Sequence, residues 1–151
     1  LSHSRGIVGC ALTRQYACGF DLQRKVEKPL LDIAEVFFPP DEYEALAALD
    51  GPARVDYFYE CWTVKEAWAK ASGHALLAAL GRASLAQNRD CADEDWMAWR
   101  LAPTRDTAAA LVVSMENGDA PAQPTVSVWR GDAFERAAIE CDPVGLSIRY
   151  A

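Results

Sequence analysis

The sequence predicts an α+β protein in which an antiparallel sheet packs against one long helix. Short runs rich in small and β-branched residues lie near the start, a helical region fills the middle, and strand-like runs follow it. An order of strands, then helices, then strands is typical of the α+β class. The 151 residues correspond to about one domain, long enough to bury a core without disulfides or metals.

The strand-like runs occur in two groups. Residues 6–12 and 16–22 are apolar, and we expect them to form a β-hairpin or two adjacent strands. After the helical region, 96–101 alternates and 107–115 is continuously apolar, which predicts antiparallel neighbours. The remaining expectations are a polar loop at 88–95, a linker at 117–124, a strand at 125–130, a helix-like piece from Gly131 and a strand at 146–150.

Three helices are predicted in the middle of the chain. The first covers 30–38 and ends at a Pro-Pro pair, and the second covers 41–49 with acidic residues in its first turn. The longest covers 53–72, where aromatic and charged residues recur three or four apart, and Gly73 follows as its C-cap. Residues 76–87 are rich in Ala and Leu and fit a helix or a strand.

Charge and composition narrow the function classes. The net charge is −7, and such an acidic chain is a poor general nucleic-acid binder because phosphate contacts need Lys and Arg. No apolar stretch reaches the ~18 residues of a membrane span, and the first residues do not have the basic-then-apolar pattern of a signal peptide. Five widely spaced cysteines without a metal-binding pattern suggest reduced thiols. We therefore expect a cytoplasmic protein with neither nucleic acid nor membrane as partner.

Three segments contain side chains suited to chemistry: SHS at 2–4, GFDLQ at 19–23 and WTVKEAWAK at 62–70. Each has an ordinary structural interpretation when it is taken alone. Glu66 and Lys70 match a stabilising surface pair one helical turn apart, worth about 0.2–0.5 kcal/mol. A carboxylate at a strand end often only caps a turn, and a histidine near a terminus is usually solvated.

Taken together, the three segments resemble the Sfp-type 4′-phosphopantetheinyl transferases. That family has Ser-His-Ser before a short strand, a strand end of the form G-[IVF]-D-[IVL]-[EQ], and W-[ST]-x-K-E-[AS]-x-x-K on a long helix. The segment VFFPPDEYEAL at 36–46 also resembles the family's double-Phe helix end and the helix after it. The resemblance extends from residue 2 to about residue 115 and implies the family's α+β fold.

The resemblance implies that the 4′-phosphopantetheine arm of coenzyme A is transferred to a serine of an acyl or peptidyl carrier protein. Adenosine 3′,5′-bisphosphate is the other product. Mg²⁺ would be held by Asp21 and Glu66, since hard cations take carboxylate oxygens. Gln23 stands at the family's third acidic position and would act through a water molecule. Glu66 is also implied as a catalytic residue that activates the serine, directly or through a metal-bound water.

The remaining site residues are implied to hold coenzyme A. Lys70 would bind a phosphate and offset charge in the transition state, which makes it a catalytic and a cofactor-binding residue. His3 would contact a phosphate, assisted by the hydroxyls of Ser2 and Ser4. Lys65 points about 100° away from Glu66 on the helix, which suggests a supporting or a carrier-facing role.

The resemblance also bears on the extent of the protein. Sfp-type enzymes are pseudo-dimers of two similar halves with coenzyme A between them, and this chain begins at the segment near the end of the first half. We expect a transferase-like domain at 1–131 and a loosely matched C-terminal tail at 132–151. The isolated chain would then be poorly active. Two alternatives stay open: a self-associating one-domain holo-carrier-protein synthase, or a non-catalytic module of the same fold that binds carrier proteins or nucleotides. The pathway, whether fatty acid, polyketide or nonribosomal peptide, also stays open.

Overall fold

A computed structural model describes residues 1–85 and 95–115, together with four short strands beyond them. The predicted α+β class is confirmed. The elements in chain order are β1 Ser2–Ser4, β2 Ile7–Gly9, β3 Cys18–Arg24, α1 Leu30–Phe37, α2 Pro40–Ala47, α3 Gly51–Ser72, α4 Leu76–Arg82, β4 Ala83–Leu85, β5 Trp96–Leu101, β6 Thr107–Ser114, β7 Ser127–Arg130, β8 Glu135–Ala138, β9 Cys141–Val144 and β10 Leu146–Ile148.

A four-stranded antiparallel sheet of order β3-β6-β5-β9 forms the centre of the fold. Its strand β6 is buried along almost its whole length, because both faces of the sheet are covered. Successive side chains of a strand point to opposite faces. Ala110 and Val112 accordingly pack with Val64 and Trp68 of α3, whereas Leu111 and Val113 pack with residues near the N-terminus. The continuous apolar run in the sequence reflects this double burial.

Helix α3 lies directly on strand β3, and a glycine permits this close approach. A Cβ atom added to Gly19 would collide with the main-chain oxygen of Ala67 and would lie 2.5 Å from the main-chain nitrogen of Ala71. Gly19, Asp21 and Gln23 alternate along β3, so all three point toward α3. The glycine therefore sets the distance between the strand and the helix that carry the candidate site.

We expect Gly19→Ala to destabilise the protein by about 1–3 kcal/mol, because the backbones of β3 and α3 must separate to admit the methyl group. Urea unfolding would measure the loss. Gly81→Ala is the matched control: its Cβ meets nothing within 4 Å, and alanine is the better helix former. Equal stability of the Gly19 variant and the wild type would contradict the close approach.

The predicted hairpin between 6–12 and 16–22 is wrong. Strand β2 pairs instead with β1, with Ser4 opposite Ile7, and a two-residue turn joins them. Arg5 and Gly6 take positive φ values of 40° and 85°, the backbone that tight hairpin turns require. Arg-Gly is a weaker turn signal than Asn-Gly, which explains why the sequence did not reveal the turn.

The other predicted elements have mixed outcomes. The three helices and the pairing of β5 with β6 are confirmed. In the ambiguous region 76–87, the described residues 76–85 form α4 and β4. The strands at 127–130 and 146–148 are present. The helix-like piece after Gly131 is wrong, since β8 and β9 occupy that region and β9 joins the central sheet beside β5. Residues 88–94 of the predicted loop at 88–95, and the whole linker at 117–124, lie outside the described residues. The domain boundary at residue 131 stays a prediction.

A buried ion pair joins α2 to α3. Lys65 and Glu42 are each 1% exposed, and their charged groups are 2.7 Å apart. The Lys65 ammonium also donates to the main-chain carbonyl of Ala83 and lies 5.1 Å from the centre of the Phe38 ring. The carrier-facing role suggested for Lys65 is therefore wrong, because its side chain has no access to a partner.

Among the described residues, no helix has both the length and the apolar content that a membrane span needs.

Candidate functional site

The three sequence segments converge where α3 crosses β3. The Ser2 hydroxyl donates to Oδ1 of Asp21 at 2.8 Å, and Nζ of Lys70 lies 2.6 Å from the same oxygen. The same ammonium lies 3.9 Å from Oε2 of Glu66. Residues that are far apart in the sequence thus form one cluster, in which two carboxylates face a single cation.

Asp21 is fully buried, and both of its oxygens have hydrogen-bond donors. Oδ1 accepts from Ser2 and Lys70, and Oδ2 accepts from the Gln23 amide nitrogen at 3.3 Å. The Ser2 hydroxyl also accepts the main-chain N–H of Leu22 at 3.2 Å. A buried carboxylate is tolerated only when it is paired and hydrogen-bonded in this way. These contacts fix its orientation.

Glu66 is held by its own helix. The indole N–H of Trp62, one turn earlier, donates to Oε1 at 2.7 Å and leaves Oε2 directed toward Lys70. Burial raises the pKa of Glu66, and the negative charge of Asp21 raises that pKa further, while the Trp62 hydrogen bond and Lys70 act in the opposite direction. The site therefore contains a carboxyl group that holds a proton more readily than an ordinary glutamate.

The hydrogen bond from Trp62 to Glu66 is not among the contacts that the motifs predict. Trp62 also stacks on Phe58, with ring centres 5.6 Å apart. Its spacing of four residues before Glu66 was the available signal, because side chains at that separation meet on a helix.

The remaining predicted residues lie beside the cluster. The Ser4 hydroxyl accepts the main-chain N–H of Arg24 at 3.0 Å, so Ser2 and Ser4 both bind the backbone of β3. His3 lies between them on β1 and therefore points the other way, where it is exposed. The structure thus brings Ser2, but not His3, to the carboxylates. A contact of any of these three residues with phosphate stays a prediction.

The atoms that could bind a metal ion at this site are carboxylate oxygens, which are hard ligands. Within the parts of the chain that the structure describes, no group of three or more His, Cys, Asp or Glu side chains is placed to bind a metal. Asp21 and Glu66 instead form a pair, with the Gln23 amide at its edge. Mg²⁺ typically uses one or two carboxylates and completes its shell with water and substrate phosphates. The pair fits this cation.

Comparison with known proteins identifies related sequences. The sequence profile of the 4′-phosphopantetheinyl transferase superfamily matches residues 17–118. The chain is 37% identical over 91 residues to the 4′-phosphopantetheinyl transferase Sfp of Bacillus subtilis, covering 60% of this chain and 39% of that protein. It is 36% identical over 77 residues to the 4′-phosphopantetheinyl transferase HetI of a Nostoc species, covering 50% of this chain and 32% of that protein. The chain thus spans only about a third of the length of these curated relatives.

Proposed function

Because the chain belongs to the 4′-phosphopantetheinyl transferase superfamily, we propose that it transfers the 4′-phosphopantetheine arm of coenzyme A to a serine of an acyl or peptidyl carrier protein, with Mg²⁺ as cofactor. One observation carries the proposal: Asp21 and Glu66 face the same ammonium group, that of Lys70. A pair of carboxylates that can bind a cation next to a partly exposed lysine matches the needs of a reaction at a pyrophosphate.

In this proposal, Asp21 and Glu66 bind the metal, and Gln23 contacts it through a water molecule. Bound Mg²⁺ would neutralise charge on the pyrophosphate and on the transition state. The serine hydroxyl attacks the pyrophosphate phosphorus next to pantetheine, the bond to the bridging oxygen breaks, and adenosine 3′,5′-bisphosphate leaves. Glu66 takes the serine proton, because a carboxylate can act as a general base and this one lies in the cluster.

Lys70 has the phosphate-binding role in this proposal. Its ammonium lies in the cluster, and its side chain is 38% exposed, so the group can reach a ligand on the solvent side. His3 is exposed on β1 and would contact a second phosphate of coenzyme A. Ser2 and Ser4 would assist it, although their hydroxyls also bind β3.

The proposed location is the cytoplasm, where coenzyme A and carrier proteins meet. Cys10, Cys18 and Cys61 are free thiols, which is compatible with a reducing compartment. The proposed partners are coenzyme A and a carrier protein.

The proposal is tested with a panel of apo carrier proteins from fatty acid, polyketide and peptide synthesis. Each is incubated with the protein, coenzyme A and Mg²⁺, and its intact mass is measured. We expect at least one carrier to gain one phosphopantetheine group, and the gain to disappear when a chelator replaces Mg²⁺. Because slow transfer is expected of the chain alone, the incubation is prolonged; if no carrier is modified even then, the enzymatic proposal is wrong and a non-catalytic binding module becomes the better hypothesis.

Gln23→Glu is expected to tighten Mg²⁺ binding by about tenfold, because an added ligand charge raises affinity for a hard cation. Titration calorimetry with MgCl₂ measures the change. Gln15→Glu, in the exposed loop before β3, adds the same charge away from the cluster and is the control. Unchanged or weaker binding in the Gln23 variant would mean that this side chain does not face the metal.

A further inference from the structure

We propose that Lys70 is an internal competitor of the metal: its ammonium occupies the carboxylate oxygens that a divalent cation needs, and it leaves them when a phosphate becomes available. This inference deepens the proposed function and depends on it for the identity of the phosphate. The observation behind it is that one lysine contacts both proposed metal ligands.

The position of the ammonium defines the competition. It lies 2.6 Å from Oδ1 of Asp21 and 3.9 Å from Oε2 of Glu66, and it also donates to the main-chain carbonyl of Phe20 at 3.2 Å. A cation held by the two carboxylates would need the oxygens that the ammonium now contacts. The two positive charges would then lie close together and repel one another, so they exclude each other from the site.

The second oxygen of Asp21 does not relieve this competition. Oδ2 is held by the Gln23 amide, and Oδ1 accepts from both Ser2 and Lys70. The Asp21 side chain is 1% exposed and is fixed by these donors, so it cannot turn to present a free oxygen. The partner that moves must be Lys70, which is much more exposed and has a flexible four-carbon chain.

This arrangement couples the two ligands of the site. A metal that binds alone must break the contacts of the Lys70 ammonium with both carboxylates, so the affinity of the site for the metal is lowered. A phosphate group offers the ammonium a new partner, so the metal and a phosphate-bearing substrate should each strengthen the binding of the other. Lys70 would thereby keep the carboxylates neutralised until both ligands are present.

The test uses Mn²⁺ as a spectroscopic probe, with free and bound ion distinguished by electron paramagnetic resonance at pH 8 and without coenzyme A. Lys70→Met removes the charge but keeps most of the side chain, and we expect it to bind Mn²⁺ about tenfold more tightly than wild type. Lys70→Arg keeps the charge and should bind as weakly as wild type. Thermal unfolding by circular dichroism verifies the fold, and Lys70→Gln replaces the Met variant if that variant does not fold.

Lys25→Met is the matched control, because Lys25 pairs with Asp56 of α3 at 2.7 Å in the same manner but outside the cluster. Its Mn²⁺ affinity should equal that of wild type. Adding Asp21→Asn to Lys70→Met should remove the gain. The proposal is overturned if the neutral Lys70 variant binds Mn²⁺ no more tightly than wild type, or if its gain survives Asp21→Asn. Neither result depends on carrier modification, which tests the transferase function separately.

Discussion

The Asp21→Asn variant is expected to transfer phosphopantetheine at least about a hundredfold more slowly than wild type, with the fold retained. Asparagine has the same shape and can still accept from Ser2 and Lys70, so the local structure should survive. Its neutral amide is a poor ligand for a hard cation, so we expect the transfer rate to fall because the variant binds the metal weakly. Glu66→Gln should show a loss of similar size, because it removes the second ligand and the proton acceptor.

Asp56→Asn is the control for both variants. Asp56 lies on α3, the helix that also carries Glu66. It pairs with Lys25 at 2.7 Å, close to the 2.6 Å between Asp21 and Lys70, but it lies outside the cluster. Carrier modification, followed by mass spectrometry with saturating coenzyme A and Mg²⁺, measures all three rates, and thermal unfolding verifies the fold. Wild-type turnover in either site variant would refute the assignment of that residue.

Breaking the buried pair of Lys65 and Glu42 on one side only is expected to cost about 3–5 kcal/mol of stability. Lys65→Met removes the cation that Glu42 contacts at 2.7 Å, and Glu42→Leu removes the carboxylate that Lys65 contacts. The double variant removes both charges and places apolar side chains beside Phe38. It should recover most of the loss, because desolvating the pair offsets much of its attraction.

Urea unfolding of wild type, the two single variants and the double variant gives a double-mutant cycle, which measures the interaction energy between Lys65 and Glu42. The exposed pair of Arg54 and Asp50 is the comparison, since Asp50 is almost fully solvated and its removal should cost less than about 1 kcal/mol. If the double variant loses as much stability as the two single variants together, Lys65 and Glu42 do not stabilise one another and the prediction is wrong. Since Lys65 directly precedes Glu66, the cycle also measures how firmly this part of α3 is anchored to α2.

The sequence by itself determined the fold class, the extent of the long helix and the three charged residues that meet in the candidate site. Helical spacing and strand alternation are local patterns that depend on residues a few positions apart, and they located α3, β5 and β6 closely. The motifs likewise contained Asp21, Glu66 and Lys70, which the structure brings together.

Only the tertiary structure decided which groups meet across the fold. The pairing of β2 with β1 depends on a turn whose positive φ angles the residue types barely signal. The burial of Lys65 depends on a carboxylate from another helix, and the binding of Ser2 to Asp21 depends on two strands lying side by side. The ammonium of Lys70 reaches Asp21 because Gly19 lets α3 approach β3. Each of these contacts joins residues distant in sequence, so no local periodicity encodes it and packing alone brings the partners together.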